Sequence, residues 1–374
     1  MSTVFEHARK LDAHGEVDDF WMLVDGDTIT ATGHGAAPAA DTTVDVGGHW
    51  LVPGFVDLHC HGAGGFSFDD GAAAIASALA VHRAHGTTRS LISLVANPLS
   101  VLKDSLATIA GLSDPLVLGA HLEGPFLEAE HRGAHNRDYL REPLPSDVAE
   151  LLNAAAGTLR QITLAPDLPN ALEAIEVLVE AGVTVAVGHT NASFEQTQQA
   201  FTSGARLLTH AFNAMPGIHH RAPGPVVAAF EDNRVVIELI LDGLHVHPDV
   251  ARLAFSSAPG RVALVTDAMA AAGSTDGDYQ LGSLAVTVAN GKAVLRGTDT
   301  IAGSTLTLDQ ALRSAMHDVG LSPREAVEAV TLTPARALGL EHRHGLLAEG
   351  FAADAVRLDH AWAVTGVWGA GQQL

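Results

Sequence analysis

Short apolar runs recur through the middle of the chain, each closed by a polar or glycine-rich tip and followed by a segment with apolar residues three and four apart. Runs of that kind read as buried strands, and the spacing after them as amphipathic helices. The strands so predicted are Leu51–Leu58, Thr88–Val95, Leu116–Leu122, Gln161–Ala165, Val183–Val187, Leu207–Thr209, Val235–Leu241 and Val262–Val265. Helical patterns fall at Ala72–His85, Leu99–Ala110, Ser146–Ala155, Ala171–Ala181, Ser193–Ser203 and Asp249–Phe255. Strand and helix alternating in this way predict an α/β fold, a (β/α)8 barrel, with an open doubly wound sheet as the alternative.

The flanks follow a different pattern. Phe20–Val24, Thr28–Thr32 and Thr43–Val46 read as short strands, the first two joined by an Asp25-Gly26 turn, while Met1–Glu16 reads as a polar lead. After the eighth predicted barrel strand, Leu284–Val288 and Ala293–Leu295 flank Asn290-Gly291, a hairpin signal. Helices are predicted at Leu306–His317 and Pro323–Thr331, then strands at Ala353–Leu358 and Ala361–Val367 that rejoin the N-terminal ones. The expected organisation is a catalytic barrel over 51–340 and a small β-sandwich domain built from 1–50 and 341–374.

Composition narrows the classes. Of 374 residues, 47% are hydrophobic and only 5% aromatic, which suits helices packed closely on parallel strands and not a disordered chain. A net charge of −22 excludes diffuse attraction to nucleic acid or an anionic membrane, so an anionic ligand requires a local basic cluster. Cys60 is the one cysteine, which rules out an internal disulfide, favours the cytoplasm and reads as a small buried hydrophobe. Residues 1–20 lack the apolar core of a signal peptide, and no run reaches the ~18 apolar residues of a membrane span.

Reactive side chains gather where the predicted strands end, which in a barrel of this kind is the rim that carries the active site. The tips are His59-Cys-His61, His121-Leu-Glu123, Gly188-His189-Thr190, Thr209-His210, Asp242-Gly-Leu-His245 and Thr266-Asp267. Histidines at i and i+2 of an extended strand point the same way, so His59 and His61 can share one ion. His189 and His210 would hold a second, with Glu123 reaching between the two. Such ions acidify water and make hydrolysis the natural reaction. Asp267 is placed to shuttle the proton, with a helix N-cap or a plain metal ligand as the alternatives.

The run Pro53-Gly-Phe-Val-Asp-Leu-His-Cys-His61 resembles the amidohydrolase superfamily. Within it, the chain is similar to the N-acetylglucosamine-6-phosphate deacetylase family. The motifs are His121-Leu-Glu-Gly-Pro-Phe126, Arg132-Gly-Ala-His-Asn136, Val187-Gly-His-Thr190, Thr209-His-Ala-Phe-Asn-Ala-Met-Pro216, Asp242-Gly-Leu-His245, Val265-Thr-Asp-Ala-Met269 and Ile301-Ala-Gly-Ser304. The resemblance covers roughly residues 51–340. It implies deacetylation of N-acetylglucosamine 6-phosphate, with Glu123, His189 and His210 as metal ligands and Asp267 as acid/base. With both His59 and His61 the chain resembles the members that hold two divalent ions, zinc foremost, with iron, cobalt or manganese as alternatives. Sugar contacts implied by the resemblance come from Ala134, His135, Asn213, Ala214, Ile301, Ala302 and Gly303. Phosphate contacts come from Arg221 and His245, and Asp242 of the same Asp242–His245 motif is implied as a further substrate-binding residue. The resemblance further implies that Arg221 and His245 reach into a neighbouring subunit's site, so that the working unit is a homodimer.

The chain departs from the family pattern in its polar lead and in Ala222-Pro-Gly-Pro225, where a Glu-Pro-Gly run is common. His219 and His220 match no role and read as loop residues. Three alternatives stand beside the deacetylase. Another N-acetyl amino-sugar phosphate, such as N-acetylgalactosamine 6-phosphate, would keep the chemistry. A cyclic-amide hydrolase such as a dihydroorotase would carry a bridging lysine where Glu123 stands. A non-enzymatic scaffold would have lost the ligand set that this chain retains.

Overall fold

The computed structural model describes residues 1–374. Eight strands lie parallel and in sequence order: β1 (Phe55–Asp57), β2 (Thr87–Leu94), β3 (Val117–Glu123), β4 (Leu159–Leu164), β5 (Thr184–Val187), β6 (Leu207–Leu208), β7 (Val236–Leu239) and β8 (Val262–Leu264). They are near-continuous apolar runs because helices cover the outer face and side chains fill the inner one; every residue of β2, for example, is buried. The ring closes beyond the regular strand ends. Asp267 N–H donates to His59 O and His61 N–H to Ala268 O, each at 2.8 Å, so the first and eighth strands meet through the residues that carry candidate ligands. That closure, with strands in sequential order, sets aside the open doubly wound sheet.

The helices between the strands start where local chemistry dictates. Ser193 caps Phe194–Thr202 and Ser322 caps Pro323–Val330, each through a reciprocal capping box with the residue three positions on. The predicted Leu306–His317 helix is α-helical over Leu308–Ser314 and continues as a π-turn over Ala315–Val319. Gly224–Glu231 is a helix that the sequence reading does not include. It opens on Gly-Pro, which reads as a turn, although proline is well suited to a first helical turn.

The run read as a single strand, Leu51–Leu58, divides at Gly54. Trp50–Pro53 pairs with Ala355–Leu358 in the terminal sheet, and Phe55–Asp57 with the barrel. A Cβ at position 54 would collide with Thr88, so glycine lets the chain cross from one sheet to the other.

The polar lead is a strand, which corrects the sequence reading. Ser2–Asp12 forms a hairpin with Gly15–Asp25 and buries Val4, Phe5, Ala8 and Leu11. Register shifts between Phe5 and Lys10, around a left-handed His7 (φ 54°), interrupt the two-residue alternation and hide the strand from pattern reading. The terminal strands make one eight-stranded sheet wrapped on itself, with Phe5 meeting Trp368 edge to face at 5.1 Å inside it. This is the small sandwich, made from a single sheet. Beyond β8, Gly277–Leu281, Leu284–Ala289 and Lys292–Leu295 form an antiparallel meander turning at Asn290-Gly291, both with positive φ. Its far end delivers Thr300, Ile301 and Gly303 to the barrel mouth.

Candidate active site

Six buried side chains converge from the ends of β1, β3, β5, β6 and β8. His59 and His61 approach with Nε2 atoms 3.1 Å apart, and His189 and His210 with Nε2 atoms 3.0 Å apart. Glu123 faces both pairs. Its Oε1 lies 2.9 Å from His189 and 3.1 Å from His210, and its Oε2 lies 3.1 Å from His61. Asp267 Oδ1 completes the first group at 3.5 Å from His59 and 3.4 Å from His61. His189, His210 and Asp267 all hold positive φ (47°, 25° and 46°), a backbone state costly for residues with a Cβ and concentrated at functional sites.

The hydrogen bonds behind the imidazoles fix what they offer. His59 Nδ1 faces Glu238 Oε2 at 3.2 Å and His189 Nδ1 faces the His131 carbonyl at 2.9 Å. Both acceptors require a proton on Nδ1, which leaves the Nε2 lone pairs aimed at their neighbours. A neutral imidazole with its Nδ1 proton fixed in this way presents Nε2 in the form that binds a cation, and with two carboxylates aimed into the same buried space this donor set fits divalent metal. Two groups have metal-ligand geometry: His59, His61, Glu123 and Asp267, and Glu123, His189 and His210.

The electrostatics agree. Burial works against charge on His59, but Glu123 and Asp267 outweigh it and hold its pKa well above the usual range. His61, similarly buried, is raised to about 9 by Asp267 and Glu123. Asp267 is drawn down to about 2, because the field of His59 and the hydrogen bond from His61 overcome its burial. The two carboxylates thus create a pocket that favours positive charge.

A cavity of about 320 Å3 opens above this cluster. Ala134, His135, Asn213, Ala214, His245, Ile301 and Gly303 line it together with His61, Glu123, His189, His210 and Asp267. His135 Nδ1 accepts from the Ala96 N–H at 3.2 Å, which puts its proton on Nε2, 3.3 Å from Glu123 Oε2 and facing the site. His245 is held by Asp242, whose Oδ2 lies 2.7 Å from Nδ1. Burial opposes the charge on His245, and the Asp242 hydrogen bond outweighs it, raising the pKa.

The sequence profile of the amidohydrolase family matches residues 50–373. The chain belongs to the amidohydrolase family. This amidohydrolase is 36% identical over 378 residues to the N-acetylgalactosamine-6-phosphate deacetylase of Escherichia coli O157:H7, covering 100% of the chain and 99% of that relative. It is 37% identical over 348 residues to the N-acetylglucosamine-6-phosphate deacetylase of Bos taurus, covering 89% and 85%. Among solved structures, a mutant N-acetyl-D-glucosamine-6-phosphate deacetylase of Mycobacterium smegmatis in complex with N-acetyl-D-glucosamine-6-phosphate superposes with a TM-score of 0.94 at 43% identity, over 100% of this chain and 98% of that one. The Pasteurella multocida N-acetylglucosamine-6-phosphate deacetylase gives 0.95 at 29% identity, over 100% of both chains.

Three residues expected at the sugar or phosphate of the amidohydrolase stand outside its cavity. Asp242 lies behind His245 and acts on it. Ala302 is fully buried in the small core that Met269 and Leu281 share. Arg221 is on an exposed loop, where its guanidinium donates to His220 Nε2 at 2.8 Å. His245 lines the cavity of its own chain, which corrects the expectation that it reaches into a neighbour's site. His121, at the β3 tip, turns into the barrel between Ser93 and Thr163 at 2.9 Å each, and burial, with His59 beside it, depresses its pKa strongly.

Other residues at the site escape the sequence reading. Glu130 and His131 line the cavity from a turn after β3, Ile240 from the end of β7, and Leu281 and Thr300 from the meander beyond β8. Glu238 carries a sequence signal: a glutamate inside the apolar run Val236-Ile-Glu-Leu239, which a fully buried strand retains only for a partner.

Proposed function

We propose that this amidohydrolase deacetylates N-acetylglucosamine 6-phosphate, giving glucosamine 6-phosphate and acetate. The observation that carries the reading is Glu123, whose two oxygens lie within 3.4 Å of all four histidines of the two pairs, at the floor of a cavity sized for a small molecule. The relatives' activities support the substrate class.

In this reading His59 and His61 would hold one divalent ion and His189 and His210 a second, with Glu123 available to both and Asp267 beside the first pair. Zinc suits the imidazole and carboxylate set, and iron, cobalt or manganese also fit it. Bound metal supplies Lewis acidity toward the amide. Asp267 takes a proton from the attacking water and returns it to the amide nitrogen as the carbon–nitrogen bond breaks. His135, with its hydrogen on Nε2, donates to the acetyl oxygen as negative charge grows there. Ala134, Asn213, Ala214, Ile301 and Gly303 shape the sugar site, and His245, whose charged form Asp242 favours, faces the phosphate end.

Arg221 belongs to the same reading as a guanidinium donated by a second copy of the chain, which makes the working unit a homodimer. Ile218, on its exposed loop, is 47% exposed and Leu244 of the Asp242–His245 motif 48%, apolar surface available to such a contact. A sugar phosphate is a charged metabolite that does not cross membranes unaided, which supports the cytoplasm as the place of action.

Acetate release from N-acetylglucosamine 6-phosphate, N-acetylgalactosamine 6-phosphate and the unphosphorylated sugars tests the proposal. The expected order puts N-acetylglucosamine 6-phosphate first and the unphosphorylated sugars last. Faster turnover of the galactosamine epimer would move the assignment to the activity named for the Escherichia coli relative.

A further inference from the structure

Glu238 sits in the middle of β7, fully buried, and its carboxyl group reaches across the barrel interior to three other strands. Oε1 accepts from Gln161 Nε2 of β4 at 2.8 Å. Oε2 lies 3.2 Å from His59 Nδ1 and accepts from the His210 backbone N–H at 3.4 Å. Both oxygens are therefore acceptors, and the His59 ring must donate.

The other three imidazoles of the cluster have no such partner. His189 Nδ1 donates to a neutral carbonyl, and the Nδ1 atoms of His61 and His210 have no hydrogen-bond partner. A carboxyl group behind a ligand histidine fixes the ring and makes its free nitrogen more basic, and loss of such a partner typically costs ~10- to 100-fold in metal affinity.

We infer that Glu238 is a positioning residue that strengthens metal binding by the His59–His61 pair in preference to the His189–His210 pair. The inference rests on the two-ion reading above. Gln161 is part of the device, since it holds the Glu238 carboxyl group by the oxygen that does not face the histidine. The His210 N–H bond ties the same group to the strand that carries a ligand of the other pair, so one side chain also sets the spacing between the two.

The test is metal competition against a chromophoric chelator, using zinc and the full-length protein, with Glu238→Gln as the variant and Gln161→Met as a second that leaves the carboxyl group in place but removes the partner of its Oε1. Wild-type protein should bind two ions. In Glu238→Gln, the affinity for one should fall by roughly 10- to 100-fold while the other holds, and Gln161→Met should show a smaller one-sided loss. Glu238→Gln should add nothing in a His59→Asn background, because the ring it acts on is gone. A merely structural role would weaken both ions together or lower the melting temperature of the metal-free protein. Two ions with unchanged affinities in Glu238→Gln, or equal loss of both, would overturn the inference and leave the two-ion reading standing. A single wild-type ion, insensitive to His59→Asn and Glu238→Gln alike, would overturn both.

Discussion

Thr266 donates its hydroxyl to Asp57 Oδ2 at 2.7 Å, joining the last barrel strand to the first directly beneath His59 and Asp267. Asp57 Oδ1 also accepts from the His59 and Thr266 backbone N–H groups, at 3.2 and 3.3 Å. The Thr266 hydroxyl accepts in turn from the Ala268 N–H at 3.2 Å. The side chains that close the barrel therefore also fix the separation of a candidate metal ligand and the candidate proton carrier.

Thr266→Val keeps the shape and removes the hydroxyl, leaving buried partners unsatisfied. The expected loss is about 1–3 kcal/mol, read as a lowered midpoint in denaturant unfolding. An unchanged midpoint would mean that backbone pairing alone closes the ring.

A second prediction concerns the joint between the barrel and the terminal sheet. Asp354 receives Arg89 through two hydrogen bonds, at 2.7 and 3.0 Å, and the Ala370 N–H at 2.8 Å. Burial pushes the Asp354 pKa up, but His344 and Arg89 outweigh it and draw the value from 3.8 down to about 2. A depressed carboxylate pKa stabilises the fold above about pH 4, and this contribution disappears as pH falls toward 2. Asp354→Asn should lose about 3–5 kcal/mol at neutral pH, because Arg89 is left buried and unpaired. It should also flatten the acid limb of the stability profile between pH 4 and 2, as measured by calorimetry. An acid limb of unchanged steepness would assign that limb to other groups.

How much of this was legible in the sequence depends on what each residue is tied to. The ligand set could be read because an apolar run ending in His or Asp is anomalous at the residue level, and the barrel brings all such tips to one rim. The Ser2–Asp12 strand could not, because a bulge at His7 breaks the alternation that reveals strands. The Trp50–Pro53 and Phe55–Asp57 strands read as one because Gly54 changes direction without interrupting hydrophobicity. Asp242 was placed at the substrate because its motif is contiguous with His245, whereas in three dimensions it stands behind the imidazole and acts through it.

That arrangement yields a prediction about pH. Asp242 raises the His245 pKa, so the imidazolium should persist above the ordinary value of 6.5 and be lost at higher pH. KM for the phosphorylated sugar should therefore stay low past the pH at which a free imidazole loses its charge, and rise once His245 gives up its proton. Asp242→Asn removes the supporting charge and should move that rise to lower pH. Identical KM profiles for the two proteins would show that His245 does not meet the phosphate as a cation.

Asp267→Asn preserves size and removes the base. Turnover should fall by roughly 10²- to 10⁴-fold, the usual contribution of a general acid/base, with at least the His189–His210 metal retained on elemental analysis. Near-normal turnover with metal bound would transfer the proton role to another side chain, with His135 or His189 as the next candidates.

The shared position of Glu123 is tested most directly by stripping the protein with chelator and measuring acetate release from N-acetylglucosamine 6-phosphate as zinc is returned in known equivalents. Activity should climb until two equivalents per chain are bound, and Glu123→Gln should bind zinc more weakly at both steps. A plateau at one equivalent, or acetate release that is unaffected by metal, would contradict a centre in which one carboxylate serves two ions.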